Sequence, residues 1–171
     1  MRWACPMRSR PRAKSNFLSG IAAQSCVCSG MLSEPEIFFA GAIASILRPR
    51  LTVEIGTGSG SSAAILARVI CLRRAELGQS YSGPLLHTID NKTHCLNAAE
   101  PIGFAIELLA PAMRDHIALH LLRDSSDCGQ IVNGAGIDFA FVDGNHSHPW
   151  PLCDVLHLQK LMKDGGWILI A

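Results

Sequence analysis

Apolar positions along the chain fall into two kinds of run. Short, almost uniformly apolar stretches occur at residues 51–55, 85–89, 117–122, 137–142 and 167–171. Their length and β-branched content suit strands buried on both faces. Longer stretches lie between several of them. At 61–77, Ala63, Ala64, Leu66, Ala67 and Ile70 gather on one side, and similar composition recurs near 92–112 and 151–162, which predicts helices. An earlier helix is expected over 34–47. Ser33 is its cap, Pro35 stands in its first turn, Glu34 and Glu36 face the positive end of the helix dipole, and Pro49 follows its end. Strands alternating with helices predict an α/β domain whose doubly wound parallel sheet is covered on both faces.

Composition narrows this further. A chain of 171 residues, 49% hydrophobic and 17% charged, is long enough for one domain with a real core. Pro, Gly or charge breaks every apolar run, so no membrane-spanning helix is expected. The net charge of +1 hides an asymmetry. Arg2, Arg8, Arg10, Arg12 and Lys14 precede the first acid, Glu34, leaving ten of the fifteen bases against fourteen acids. The folded part lacks the basic face that a grip on nucleic acid requires. Residues 1–29 read as a basic, disordered tail or an import signal, without the apolar core of a secretory leader. The domain then covers 30–171. Seven cysteines, an odd number with no C-x-x-C pair, fit reduced thiols in a cytoplasm, and Cys26-Val-Cys28 alone makes no zinc site.

Candidate chemistry begins where the first predicted strand ends, at Val53-Glu-Ile-Gly-Thr-Gly-Ser-Gly-Ser-Ser62. In doubly wound sheets ligands bind beyond the carboxyl ends of the strands. Glycines there permit positive φ and close approach of a ligand to the backbone. The amides opening the next helix are free to hold a carboxylate or phosphate. Gly58-x-Gly60-x-x-Ala63 satisfies the loose dinucleotide pattern, so a nicotinamide-dependent oxidoreductase is one reading. Glu54 argues for another. A carboxylate at the strand mouth repels a pyrophosphate and attracts an ammonium group. A cofactor carrying both ammonium and carboxylate fits better, and that cofactor is S-adenosylmethionine.

Glu54-x-Gly56-x-Gly58-x-Gly60 resembles the first motif of class I S-adenosylmethionine-dependent methyltransferases, and with Ser62 it is especially similar to small-molecule O-methyltransferases. The resemblance extends over roughly residues 30–171 and implies a Rossmann-like fold. It implies that Glu54, Gly56, Thr57, Gly58, Gly60 and Ser62 surround the methionine end of the cofactor. Asp90, closing the second strand, and its neighbour Asn91 then stand at the ribose, Asp90 accepting its hydroxyls. The other reading of Asp90 is a helix cap for a segment beginning at Lys92. Asp124 and Ser125, after the third strand, are expected near adenine, with capping the alternative for Asp124.

Val142-Asp-Gly-Asn-His146, with Asp154 further on, is similar to a subgroup containing sugar and antibiotic O-methyltransferases. Methyl transfer to a hydroxyl needs an in-line nucleophile and a destination for its proton. His146 reads as that base, or as a partner orienting Asp143. In catechol-type relatives an acid at the position of Asp143 binds Mg²⁺, which leaves metal dependence open. The implied activity is O-methylation of a small-molecule hydroxyl acceptor. Trp150 and Phe38-Phe39 read as acceptor-pocket walls or as core. The family ordinarily adds two strands after the fifth, whereas this sequence ends at Ala171. The expectation is an incomplete methyltransferase domain, either active when completed or a cofactor-binding remnant, whose terminal strand offers an edge for self-association.

Overall fold

The computed structural model describes residues 32–79, 83–95 and 99–171, so the basic tail expected over 1–29 lies outside it. Helix α1 spans Glu34–Leu47. Glu36 Oε2 accepts from both the amide and the hydroxyl of Ser33, at 2.7 and 2.6 Å, which ties off the first turn. Arg48, at φ 50, and Pro49 end it. Strand β1, Thr52–Ile55, is buried at every position. Helix α2, Ser61–Ala75, and strand β2, Leu86–Asp90, follow.

The helix expected near 92–112 is much shorter. Residues 96–98 of it lie outside the described residues, His94 and Pro101 form an isolated antiparallel bridge, and α3 spans only Phe104–Leu109. Pro111 starts a separate 3-10 helix, Pro111–His116, because its ring cannot continue an α-helix. Strand β3 is Ile117–Leu121. A 3-10 turn at Ser125–Asp127 then leads into α4, Cys128–Ile131. Strand β4, Ile137–Val142, and helix α5, Trp150–Leu158, precede β5, Met162–Ile170. The last strand begins five residues before its apolar run, and a register shift against β4 between Ile137 and Phe139 accommodates its Gly165-Gly166 pair.

The sheet order is β3-β2-β1-β4-β5 and every pairing is parallel. This is the expected doubly wound, Rossmann-like α/β fold. Ala40 and Ala44 of α1, Leu66 and Ile70 of α2 and Ile106 of α3 pack with Leu86, Phe139 and Phe141 on one face. Cys128, Val132 and Leu158 cover Val53, Ile89, Ala140 and Val142 on the other. The chain reverses direction across the sheet at the β1/β4 boundary, and a crevice opens there above the strand ends. Among the described residues no helix is long and apolar enough to cross a membrane, and Cys71, Cys95, Cys128 and Cys153 are free.

Candidate active site

Backbone packing dictates the glycine turn after β1. A Cβ on Gly56, at φ +93, would stand 2.1 Å from the carbonyl oxygen of Asp143, and one on Gly60 would meet Ile106 at 2.7 Å and Gly103 at 2.9 Å. Those two glycines are therefore required by the fold itself. Gly58 differs, because its Cβ would meet nothing within 4 Å. The turn is held against α3 by amides of Gly103 and Ala105, which donate to the carbonyls of Gly58 and Ser59 at 3.0 and 2.9 Å. The space over Gly58 is open, and α2 begins three residues further on, at Ser61.

Glu54, on β1 just ahead of this turn, is fully buried. Thr88, its register partner on β2, donates its hydroxyl to Glu54 Oε2 at 2.5 Å, and Thr57 Oγ1 lies 2.7 Å from the same hydroxyl. Oε1 has no hydrogen-bond partner among the described residues. Burial pushes the carboxyl up to about 7; the Ser62 and Thr88 hydroxyls pull it down, and Asp143 and Asp90 push it further up. A buried carboxylate oxygen without a donor is costly, and a proton of its own or a donor brought to it offsets that cost.

Asp90 does something the sequence did not suggest. Its Oδ2 accepts the amides of Thr57 and Gly58, both at 3.1 Å, and its Oδ1 accepts that of Lys92 at 3.0 Å. It clasps the glycine turn to the end of β2, and no helix begins at Lys92. Three amides fill most of the roughly four acceptor positions of a carboxylate. Asn91 is exposed beside Asp90.

Asp124 turns its carboxylate back onto the 3-10 turn, accepting from the hydroxyl and the amide of Ser126 at 2.5 and 2.8 Å, and these bonds hold its pKa low. Its capping role is thus realised. Ser125 is buried and its hydroxyl pairs with Nδ1 of His157 at 2.9 Å.

Asp143 leaves β4 beside Gly56, with His146 Nε2 at 3.5 Å from its Oδ1. Burial pushes Asp143 up to about 6, His146 opposes this, and Glu36 at the start of α1 adds to it. Glu36 was not among the sequence-predicted residues, because nothing local connects the first turn of α1 with the end of β4. Thr88 was missed too, although strand alternation with Asp90 marks it as facing the same side. Among the described residues no three His, Cys, Asp or Glu side chains gather as a metal cluster; Asp143 is the single protein donor the sequence offered for Mg²⁺. Phe38, Phe39 and Trp150 are exposed, which overturns the reading of them as core. A cleft of ≈ 430 Å³ borders Phe38 and Phe39, and another of ≈ 530 Å³ lies between α2 and residues 109–113. Neither is lined by the glycine turn.

The family profile described as "Methyltransferase domain" matches residues 53–170, from within β1 to the end of β5. The chain belongs to the methyltransferase-domain family. The fold of this methyltransferase domain is similar to solved structures at low identity. One is an O-methyltransferase from Bacillus cereus in complex with SAH, with TM-score 0.60 and 19% identity over 96% of this chain. Another is the O-methyltransferase TomG from Streptomyces achromogenes, involved in tomaymycin synthesis and in complex with SAM, with 0.58 and 22% over 90%. A third is the SAH-bound methyltransferase PaMTH1 of Podospora anserina, with 0.59 and 16% over 99%. The methyltransferase domain spans 68%, 63% and 73% of those three chains. No curated protein sequence matches it.

Proposed function

We propose that this methyltransferase domain binds S-adenosylmethionine above β1, β2 and β4 and, within a complete enzyme, serves O-methylation of a small molecule. The observation that carries this reading is the buried carboxylate of Glu54, with Oε1 unpartnered, just ahead of a glycine turn that is open over Gly58. Ligands of the first and third solved structures named above are SAH and that of the second is SAM, which supports it. When bound, S-adenosylmethionine supplies a methyl group on a cationic sulfur that departs as a neutral thioether.

Glu54 Oε1 takes the ammonium, while the Ser62 hydroxyl, turned from Glu54, and the first amides of α2 take the carboxylate. Asp90 keeps the turn in place and accepts one ribose hydroxyl. The 3-10 turn carrying Asp124 and Ser125 borders the adenine side. At the methyl end, His146 receives the acceptor's hydroxyl proton and Asp143 orients the imidazole. The oxyanion so formed, or the hydroxyl as it loses its proton, attacks the methyl carbon in line with the breaking carbon–sulfur bond.

Calorimetric titration with S-adenosylhomocysteine tests the reading. The parent chain is expected to bind, and Asp90→Ala to bind at least about tenfold more weakly, since loss of charged hydrogen bonds releases both turn and ribose. Equal affinity for the two proteins would remove Asp90 from the site. The nicotinamide alternative predicts a thermal shift with NADH and none with S-adenosylhomocysteine. The family match and the position of Glu54 favour the methyl donor.

A further inference from the structure

Where β1 gives way to the glycine turn, a carboxyl and two hydroxyls are closed off from water together. Glu54 and Thr88 are fully buried and Thr57 is 3% exposed. Thr88, on β2 two residues before Asp90, is the register partner of Glu54. Its Oγ1 lies 2.5 Å from Glu54 Oε2 and 2.7 Å from Thr57 Oγ1. The proposed function leaves Thr88 without a task.

A hydroxyl has one proton to give, and an ionised carboxylate can only accept. Once Glu54 is ionised, the Thr88 proton therefore goes to Oε2 and the Thr57 proton goes to the Thr88 oxygen. The chain then runs one way, from Thr57 through Thr88 to Glu54. What it leaves unused, Glu54 Oε1 and a lone pair on Thr57 Oγ1, can only accept, whereas an ammonium group only donates. Burial opposes ionisation of Glu54, the Ser62 and Thr88 hydroxyls favour it, and the charges of Asp143 and Asp90 oppose it again. In the reading above Ser62 turns to the cofactor's carboxylate, so Thr88 is the hydroxyl that stays. We propose that Thr88 is a positioning residue for the cofactor: backed by Thr57, its hydroxyl pins Oε2 of Glu54 and leaves Oε1 to take the ammonium. This rests on the cofactor reading, and Thr88 acts through Glu54.

Thr88→Val keeps the side chain's shape and removes the hydroxyl, whereas Thr88→Ser keeps the hydroxyl and removes a methyl group. Affinity for S-adenosylhomocysteine, titrated from pH 6 to 8.5 in the full chain, separates the role from packing. Without the Thr88 donor, Glu54 should ionise about one pH unit higher. Thr88→Val should then bind about tenfold more weakly than the parent at pH 6 and within about twofold of it at pH 8.5. Thr88→Ser should follow the parent's profile. Thr88→Ala, which lacks the hydroxyl and crowds nothing, carries the same expectation as Thr88→Val if the latter does not fold. A loss of equal size at every pH, a loss that Thr88→Ser shares, or parent-like binding by Thr88→Val overturns the proposal. Urea titrations supply a readout without ligand. In the parent, the stability that Glu54 contributes below about 4.5 is lost as pH rises to about 7; in Thr88→Val the loss should continue to about 8. If the parent does not bind S-adenosylhomocysteine, the cofactor reading falls and this proposal with it. If the parent binds but the loss in Thr88→Val also ends near 7, the proposal alone falls.

Discussion

At Glu54 a single oxygen couples fold and ligand. With its carboxyl raised from 4.5 to about 7, the group folds most readily when protonated. Its contribution to stability is present below about 4.5 and is lost as pH rises through about 7, a difference of about 3 kcal/mol. An ammonium ligand needs the opposite state. Affinity for S-adenosylhomocysteine should therefore rise between pH 6 and 8, and Glu54→Gln should bind weakly with no such slope; a slope of the same size in Glu54→Gln would detach the effect from this residue. The glycines divide in the same manner. Gly56→Ala drives a Cβ into the Asp143 carbonyl and should cost roughly 2–4 kcal/mol in chemical denaturation. Gly58→Ala meets open space, so it should cost about 1–2 kcal/mol for its left-handed backbone while weakening cofactor binding. If Gly58→Ala binds like the parent, the space over Gly58 is not where the ligand lies.

Elements joined by the sheet show what periodicity conveys and what it omits. The five apolar runs and the helix 34–47 are legible because burial on two faces, or on one helical stripe, leaves a direct imprint on residue order. The shortened α3 was not, since 92–103 carries helical composition but the described residues on either side of 96–98 are held by other contacts: Ile102 N bonds Thr93 O, and Gly103 N bonds Gly58 O. Between β2 and β3, His87 Nδ1 and His120 Nε2 lie 3.1 Å apart with ring centres 5.3 Å apart and planes 7° apart. Those values place the nitrogens between the rings, as an in-plane N–H···N bond and not a face-to-face stack. One proton is shared, and full protonation of both rings breaks the bond. Burial holds both pKa values below the usual 6.5, with each other's charge adding for His87 and Arg123 adding for His120. A lowered folded pKa gives stability that is present above about 6.5 and lost as pH falls. His120→Gln should lose less stability than the parent between pH 7 and 5 in urea titrations; parallel curves would show that the pair does not titrate in this range. Comparing parent with variant cancels the opposite trend of Glu54.

Across the whole molecule, β5 has β4 as its one partner in the five-stranded sheet, and Trp167 and Ile170 are exposed on it. Exposed apolar strand edges pair readily. Sedimentation of the chain should show concentration-dependent association, reduced by Trp167→Lys; a monomer at all concentrations would dismiss the terminal strand as an interface. What residue order determined by itself was the alternation of strand and helix, the glycine turn and the acids at the strand ends, since each is a local response to burial or backbone sterics. Which acid does what was decided only in three dimensions. Asp90 clasps amides 32 and 33 residues away, and Glu36 reaches the field of Asp143, because charge and hydrogen bonding act through space between elements that the chain itself keeps far apart.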